Sequence, residues 1–357
     1  MRQTIRFCTS QDGVRLAFGT HGSGPPLVRV ATWLTHLQHD WDSPLWRHWL
    51  DGLAEGRTLI RYDERGSGLS DRDVTRFSVD AWVEDLEAVV DAAGLDQFAL
   101  LGLSNAGSVA VSYAVRHPER VSKLVLCGAF SQGRLRRDGS PGARAEAEAL
   151  LAMIRAGWGQ DNPAFRRAFT TLFVPDATRQ QMGWFDELQR ISATPDTAAL
   201  LRLAREEIDV TDVISGVTAP TLVFHAQDDA AVPFEQGRGV ASAISGARFV
   251  PLEGRNHILL ADEPAWGVFL RELNAFLPGL PRVEHADHIL TARESEVLAR
   301  VAAGMTNDAI AEELFVSTRT VERHLGNMYR KLGLHGKSGR AALAARAASL
   351  IQPPPDP

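Results

Sequence analysis

Between residues 5 and 251 of this 357-residue chain, short β-branched and apolar runs alternate with longer stretches of helical period. That alternation predicts an α/β fold, a sheet whose strands are joined by helices. Ile5–Cys8 and Val14–Gly19, around Gln11-Asp12-Gly13, read as an opening hairpin. Leu27–Val30, Thr58–Tyr62, Phe98–Leu103, Lys123–Cys127, Thr221–His225 and Ala247–Pro251 read as sheet strands. Intervening patterns such as Val79, Trp82, Val83, Leu86, Val89 and Val90 carry apolar residues at helical spacing. The stretch from about 131 to 212 breaks the rhythm. Ala143–Ile154, Pro163–Phe173, Gln180–Ile191 and Asp196–Ile208 read as helices with no strand among them, which predicts a helical lid over the sheet. Glu263–Leu277 is a final helix, and the turn-rich 279–288 reads as a linker.

Composition narrows the chemistry. Cys8 and Cys127 are the only cysteines and lack metal-ligand spacing, so neither a disulfide scaffold nor a metal site is expected, and no cofactor is called for. No apolar run is long enough for a signal peptide or a bilayer span, which predicts a cytoplasmic protein without a membrane partner. The net charge of -6 argues against nucleic acid as a partner of the whole surface. Charge is local, however: from Val316 to Arg346 seven basic residues (Arg319, Arg323, Arg330, Lys331, Lys337, Arg340 and Arg346) face one acid, Glu322.

Leu100-Leu-Gly-Leu-Ser104-Asn-Ala-Gly107 sets a serine between an apolar strand and a helix, with small residues on both sides. A sharp strand-to-helix turn needs those small neighbours and lifts the serine hydroxyl above the sheet. The backbone N–H of Asn105 would then face a developing oxyanion. Downstream, Ala226-Gln-Asp228-Asp229 leaves one strand and Leu252-Glu-Gly-Arg-Asn-His257 leaves the next. Serine, aspartate, histidine, each just past a strand end, is the order of a nucleophile, an orienting acid and a general base. Asp228 and Asp229 compete for the middle role.

Over residues 1–278 the chain resembles the α/β-hydrolase superfamily, with the lid at about 131–212; Asp63-Glu-Arg-Gly-Ser-Gly-Leu-Ser70 matches that family's loop after the fourth strand. The resemblance implies catalysis by Ser104, Asp229 and His257. It departs from the family where Ala31-Thr32 replaces the usual His-Gly, so that Trp33 would supply the second oxyanion N–H. Ala106 and Asn256 each stand where glycine is commoner. Trp33, Trp41, Trp46, Phe130, Trp158, Trp184 and Phe185 are the expected pocket wall, with Ser104 and His257 at its floor, favouring a largely apolar small ligand.

Near the end, Thr291 to Ala303 reads as a helix with a capping box at Glu294, and Gly304 ends it. Thr306 or Asn307 caps a second helix whose Ile310, Ala311 and Leu314 point inward. After the turn Phe315-Val-Ser317 comes a third helix, with Val321, Leu325, Met328, Tyr329 and Leu332 at core spacing. Over 289–351 the chain resembles the LuxR-type (GerE-like) four-helix DNA-binding domain, a small all-α helix-turn-helix unit. The resemblance implies double-stranded DNA as partner. Arg319, Thr320 and Arg323 would enter the groove, with Thr318 on the same DNA-binding face, His324, Asn327 and Lys331 near the phosphates and Asn307 at a helix N-terminus. An alanine-rich fourth helix, Ser338–Leu350, suits packing in a homodimer, and 352–357 reads as a disordered tail.

Two functions fit this sequence. One is a regulator whose hydrolase-like pocket binds a small effector; the other is a serine hydrolase of esters or lactones with a DNA-binding appendage. A sensor that slowly hydrolyses its signal combines them.

Overall fold

A computed structural model describes residues 3–277, 279, 292–314, 316–331 and 343. The expected fourth helix and the tail lie outside these residues except for Leu343, as does the linker except for Gly279. The chain forms two compact units, Met1–Leu280 and Pro281–Pro357.

The first unit is built on eight strands: β1 (Thr4–Thr9), β2 (Arg15–Gly22), β3 (Pro26–Arg29), β4 (Thr58–Tyr62), β5 (Phe98–Leu103), β6 (Val121–Cys127), β7 (Thr221–Ala226) and β8 (Arg248–Leu252). Their spatial order is β1-β2-β4-β3-β5-β6-β7-β8. β1 with β2 and β2 with β4 are antiparallel. All other neighbours are parallel. Central strands such as β7 are buried along their whole length, as expected of strands covered on both faces. Helices α1 (Leu37–Asp42), α2 (Arg47–Ala54), α3 (Val79–Ala92), α4 (Ala106–Arg116), α10 (Phe234–Ala243) and α11 (Pro264–Phe276) accompany the sheet. Their apolar faces enter one continuous core with it, as Trp82, Val83, Leu86, Val89 and Val90 of α3 do.

Between β6 and β7 come five helices, α5 (Arg134–Arg137), α6 (Pro141–Gly157), α7 (Ala164–Phe173), α8 (Arg179–Ser192) and α9 (Pro195–Glu206). Their starts are encoded locally. Thr178 and Gln181 form a reciprocal capping box on α8, and Thr194 caps α9 just ahead of Pro195. These helices and the carboxyl ends of the parallel strands enclose a shared cavity, at the edge where ligands of such sheets bind.

The second unit contains α12 (Ala292–Ala302), α13 (Asn307–Glu313) and α14 (Thr318–Lys331). Val297, Leu298, Val301, Ile310, Ala311, Val321, Leu325, Met328 and Leu343 form its separate core. Thr306, not Asn307, caps α13, accepting from Ala309 N–H at 3.3 Å.

Candidate functional site

The turn from β5 to α4 holds Ser104 at φ +53°, a left-handed conformation uncommon for a side chain larger than glycine. The Ser104 N–H donates to Cys127 O at 2.9 Å, which fixes the turn against β6. Close packing explains its small neighbours. A Cβ on Gly102 would lie 2.7 Å from Gly107 Cα, and one on Gly107 would lie 2.4 Å from Ala129 Cβ. Ala106, where the family prefers glycine, is fully buried in the core, so its methyl is accommodated.

The structure brings Asp229, not Asp228, to His257: Asp229 Oδ2 lies 2.6 Å from His257 Nδ1, while Asp228 is exposed. The other carboxylate oxygen accepts from the N–H groups of Ala231 (2.9 Å) and Val232 (3.0 Å). Burial raises the pKa of Asp229, but the His257 charge and hydrogen bond and the Val232 N–H hold it below the usual carboxylate range. An ionised carboxylate only accepts, so it keeps the histidine proton on Nδ1 and leaves Nε2 as an acceptor.

The loop carrying His257 is tied to the lid. The His257 N–H donates to Phe173 O at 2.9 Å. Asn256 accepts the Asp176 N–H at 3.1 Å and donates to Glu263 Oε2 at 2.9 Å. The asparagine in place of glycine is therefore a bridge between lid and loop.

The cavity has a volume of about 1030 Å³ with its open mouth included. Trp33, Ser104, Asn105, Phe130 and His257 line it from the strand ends; Phe173 and Phe185 line it from the lid. Trp46 also lines it, as expected. Trp158, Trp184 and Trp41, expected in the wall, do not line it. Trp158 lies behind the wall, stacked on Trp33 with centroids 5.5 Å apart. Trp184 packs on His39 at 4.6 Å. Trp41 sits between His21 and Arg47. Most of the lining is apolar, in keeping with the expected aromatic wall, but Arg134, Arg137, Arg202, Arg205 and Glu206 are also part of it. The sequence motifs single out none of these five. The available signal was the three-residue spacing within each pair, which puts both arginines on one helix face.

Arg205 is fully engaged. It pairs with buried Glu64 and donates to Leu201 O at 2.8 Å. Burial pushes the Glu64 carboxyl up to about 7 against the pull of Arg205. The Asn105 amide is satisfied when its oxygen accepts from Arg205 Nε (3.2 Å) and Ala106 N–H (3.3 Å). In the opposite orientation that oxygen would take the Trp33 N–H over a long 3.4 Å.

In the second unit, α14 buries Val321, Leu325 and Met328, leaving Arg319, Glu322, Arg323 and Gly326 exposed on other faces. Arg319 and Arg323 are one turn apart and share a face. Asn307, Thr318, Thr320, His324 and Asn327 are half-buried. Two of the expected DNA-binding residues have internal partners: Thr318 Oγ1 donates to Asp308 Oδ1 at 2.9 Å, and the Thr320 hydroxyl lies 2.8 Å from Ser317 Oγ. These bonds secure the start of α14 and its join to α13. The backbone of Lys331 ends α14.

Comparison with known proteins agrees with both units. The model of the alpha/beta hydrolase fold family matches residues 34–264, and that of the luxR family of bacterial regulatory proteins matches 288–344. A non-heme chloroperoxidase of Streptomyces lividans is 29% identical over 267 residues, covering 72% of this chain and 94% of that protein. A 2-hydroxymuconate semialdehyde hydrolase of Pseudomonas sp. (strain CF600) is 29% identical over 248 residues, covering 64% and 75%. Among solved structures, an esterase from Exiguobacterium antarcticum superposes with a TM-score of 0.65 at 26% identity, covering 77% of this chain and 99% of that one.

Proposed function

We propose that this chain, which belongs to the α/β-hydrolase fold family and carries a LuxR-family DNA-binding domain, is a transcriptional regulator whose input is a small molecule held in the hydrolase pocket. The observation that carries this reading is the presence, in one chain, of an enclosed pocket over a serine elbow and a helix with a separate exposed basic face. A ligand that favours one arrangement of the protein over another shifts its affinity for DNA by the same free energy with which DNA shifts its affinity for the ligand. DNA as target and two free thiols fit a reducing cytoplasm. Reading two half-sites calls for a homodimer. The test is selection of bound sequences from a random duplex pool by the full-length protein at low salt. Enrichment of one sequence is expected, and none at low salt, where phosphate contacts are strongest, would refute regulation.

A second reading, hydrolysis, is favoured by the 2.6 Å Asp229–His257 contact beside Ser104. His257 Nε2 takes the Ser104 proton as Oγ attacks an ester or lactone carbonyl, and Asp229 stabilises the imidazolium. The Asn105 and Trp33 N–H groups receive the oxyanion; the Asn105 amide, turned to Arg205, leaves the Trp33 donor to it. The intermediate collapses as the acyl–oxygen bond breaks, His257 gives its proton to the leaving alkoxide, and water then repeats the sequence on the acyl-enzyme to free the acid and Ser104. Labelling of Ser104 by a fluorophosphonate, abolished in Ser104→Ala, is expected; an inert serine removes this reading without touching the first.

A further inference from the structure

The lid side of the pocket is strongly cationic. α5 supplies Arg134 and Arg137, and α9 supplies Arg202 and Arg205, against a single lining acid among the described residues, Glu206. Arg205 is committed to Glu64 and Asn105. The other three are not fully matched. Arg202 Nη2 lies 2.6 Å from Glu206 Oε1, but its Nε is buried without a hydrogen-bond partner. Arg134 bonds to Glu146 at 2.9 Å at the rim and to Ala143 O at 3.2 Å. Its Nε, 3.8 Å from Glu206 Oε2, is likewise buried and unbonded. Arg137 donates to Gln132 O at 2.9 Å. Burial lowers the pKa of Arg137 and Arg202, and repulsion from Arg134 lowers both further.

Like charges crowded into a half-buried wall with unused donors are costly unless an anion completes them. Glu206 and Glu146 offset two of the three charges, which leaves room for a monoanion rather than a phosphate dianion. We propose that the pocket recognises an organic carboxylate. The acid group is held by Arg202, Arg134 and Arg137, while an apolar body lies against Trp33 and Phe173 with its carbonyl at Ser104. Guanidinium donors suit this role, since their planar fork matches a carboxylate edge. The inference rests on the reading of this cavity as the ligand site and specifies the ligand's chemistry.

The test uses two esters that differ only at one end: mono-4-nitrophenyl glutarate, ending in a carboxylate, and 4-nitrophenyl valerate, ending in a methyl. Full-length protein is assayed for 4-nitrophenolate release, and Ser104→Ala for binding by calorimetry. The charged ester is expected to be favoured at least about tenfold, the scale of one charge-assisted hydrogen bond, with the preference weakening at high salt. Arg202→Met should reduce that ratio to about threefold or less. Arg137→Met, at a half-exposed position, should lower it in the same direction. Taking the ratio within each variant cancels any loss of folded protein. Equal handling of the two esters in both assays overturns the carboxylate site while leaving the pocket reading intact. Preferential binding of the glutarate without turnover supports the carboxylate site and removes hydrolysis. Binding of neither ester overturns both.

Discussion

Replacing Asp229 by asparagine tests the catalytic geometry more sharply than removing the serine. The two backbone donors on Oδ1, at 2.9 and 3.0 Å, leave the asparagine no choice of orientation. Its oxygen must stay on Ala231 and Val232, so its NH₂ must face His257 Nδ1, where a carboxylate oxygen now sits at 2.6 Å. A donor there forces the ring proton to Nε2, the atom that has to accept from Ser104. The loss is one of tautomer, not of position, and such a loss in a serine triad lowers turnover by roughly 10⁴-fold, about 5.5 kcal/mol in the barrier. The assay is the second-order rate of Ser104 labelling by a fluorophosphonate, with the melting temperature as a check on folding. Asp228→Asn is the control, since Asp228 is exposed and its described hydrogen bond is a backbone one to Gly254 O. A folded Asp229→Asn protein labelled within about tenfold of the wild-type rate would refute the proton transfer as drawn.

Other expectations follow from the same structure. Arg323→Ala should weaken binding to a selected DNA site by about 1–3 kcal/mol, read by mobility shift, with serine labelling unchanged. Undiminished binding would remove Arg323 from the interface. Gly107→Ala, which drives a methyl to 2.4 Å from Ala129 Cβ, should destabilise by about 1–3 kcal/mol in a denaturant melt. Gly183→Ala, inside α8 with no atom within 4 Å of the new methyl, should stabilise by about 0.5–1 kcal/mol; the opposite order would contradict the packing of the elbow. Burial and the Asp85 charge push the Cys8 thiol up to about 11, so it stays protonated at neutral pH. At pH 8 about one molecule in a thousand carries the Cys8 thiolate, and alkylation by iodoacetamide should be slow, rising about tenfold at pH 9. Cys127, buried at the wall of the cavity, has a thiol raised further, first by burial and then by the Asp229 charge. Mass spectrometry showing either cysteine modified at the rate of an unfolded chain would contradict this.

Much of the fold was legible because its signals are local. β4 and β5 match the sequence expectation at both ends, and every other strand overlaps its expected run. Lid helices α6, α8 and α9 carry their own side-chain caps. The family resemblance favours Asp229 over Asp228, and the hydrogen bond to His257 agrees. The pocket lining was harder to read. Trp33 and Trp158 stack on each other and are equally aromatic in sequence, yet only the first reaches the cavity. Which tryptophan faces a ligand depends on how lid helices pack on one another, a matter of tertiary contacts. The arginine wall was hidden for a similar reason. Arg134 and Arg202 stand far apart in the chain, and a basic residue on a helix reads as solvated until another helix is seen to cover it.

The bonds from Phe173 O and Asp176 N–H to the loop of His257 have a temporal consequence. Any motion that lifts this part of the lid also unloads the segment that aims the imidazole. Were a ligand to enter by lifting that side, admission and proton transfer would belong to separate moments. A molecule admitted that way would dwell inside before it could react. If the protein regulates as proposed, that dwell is the interval in which the occupant's presence would be read.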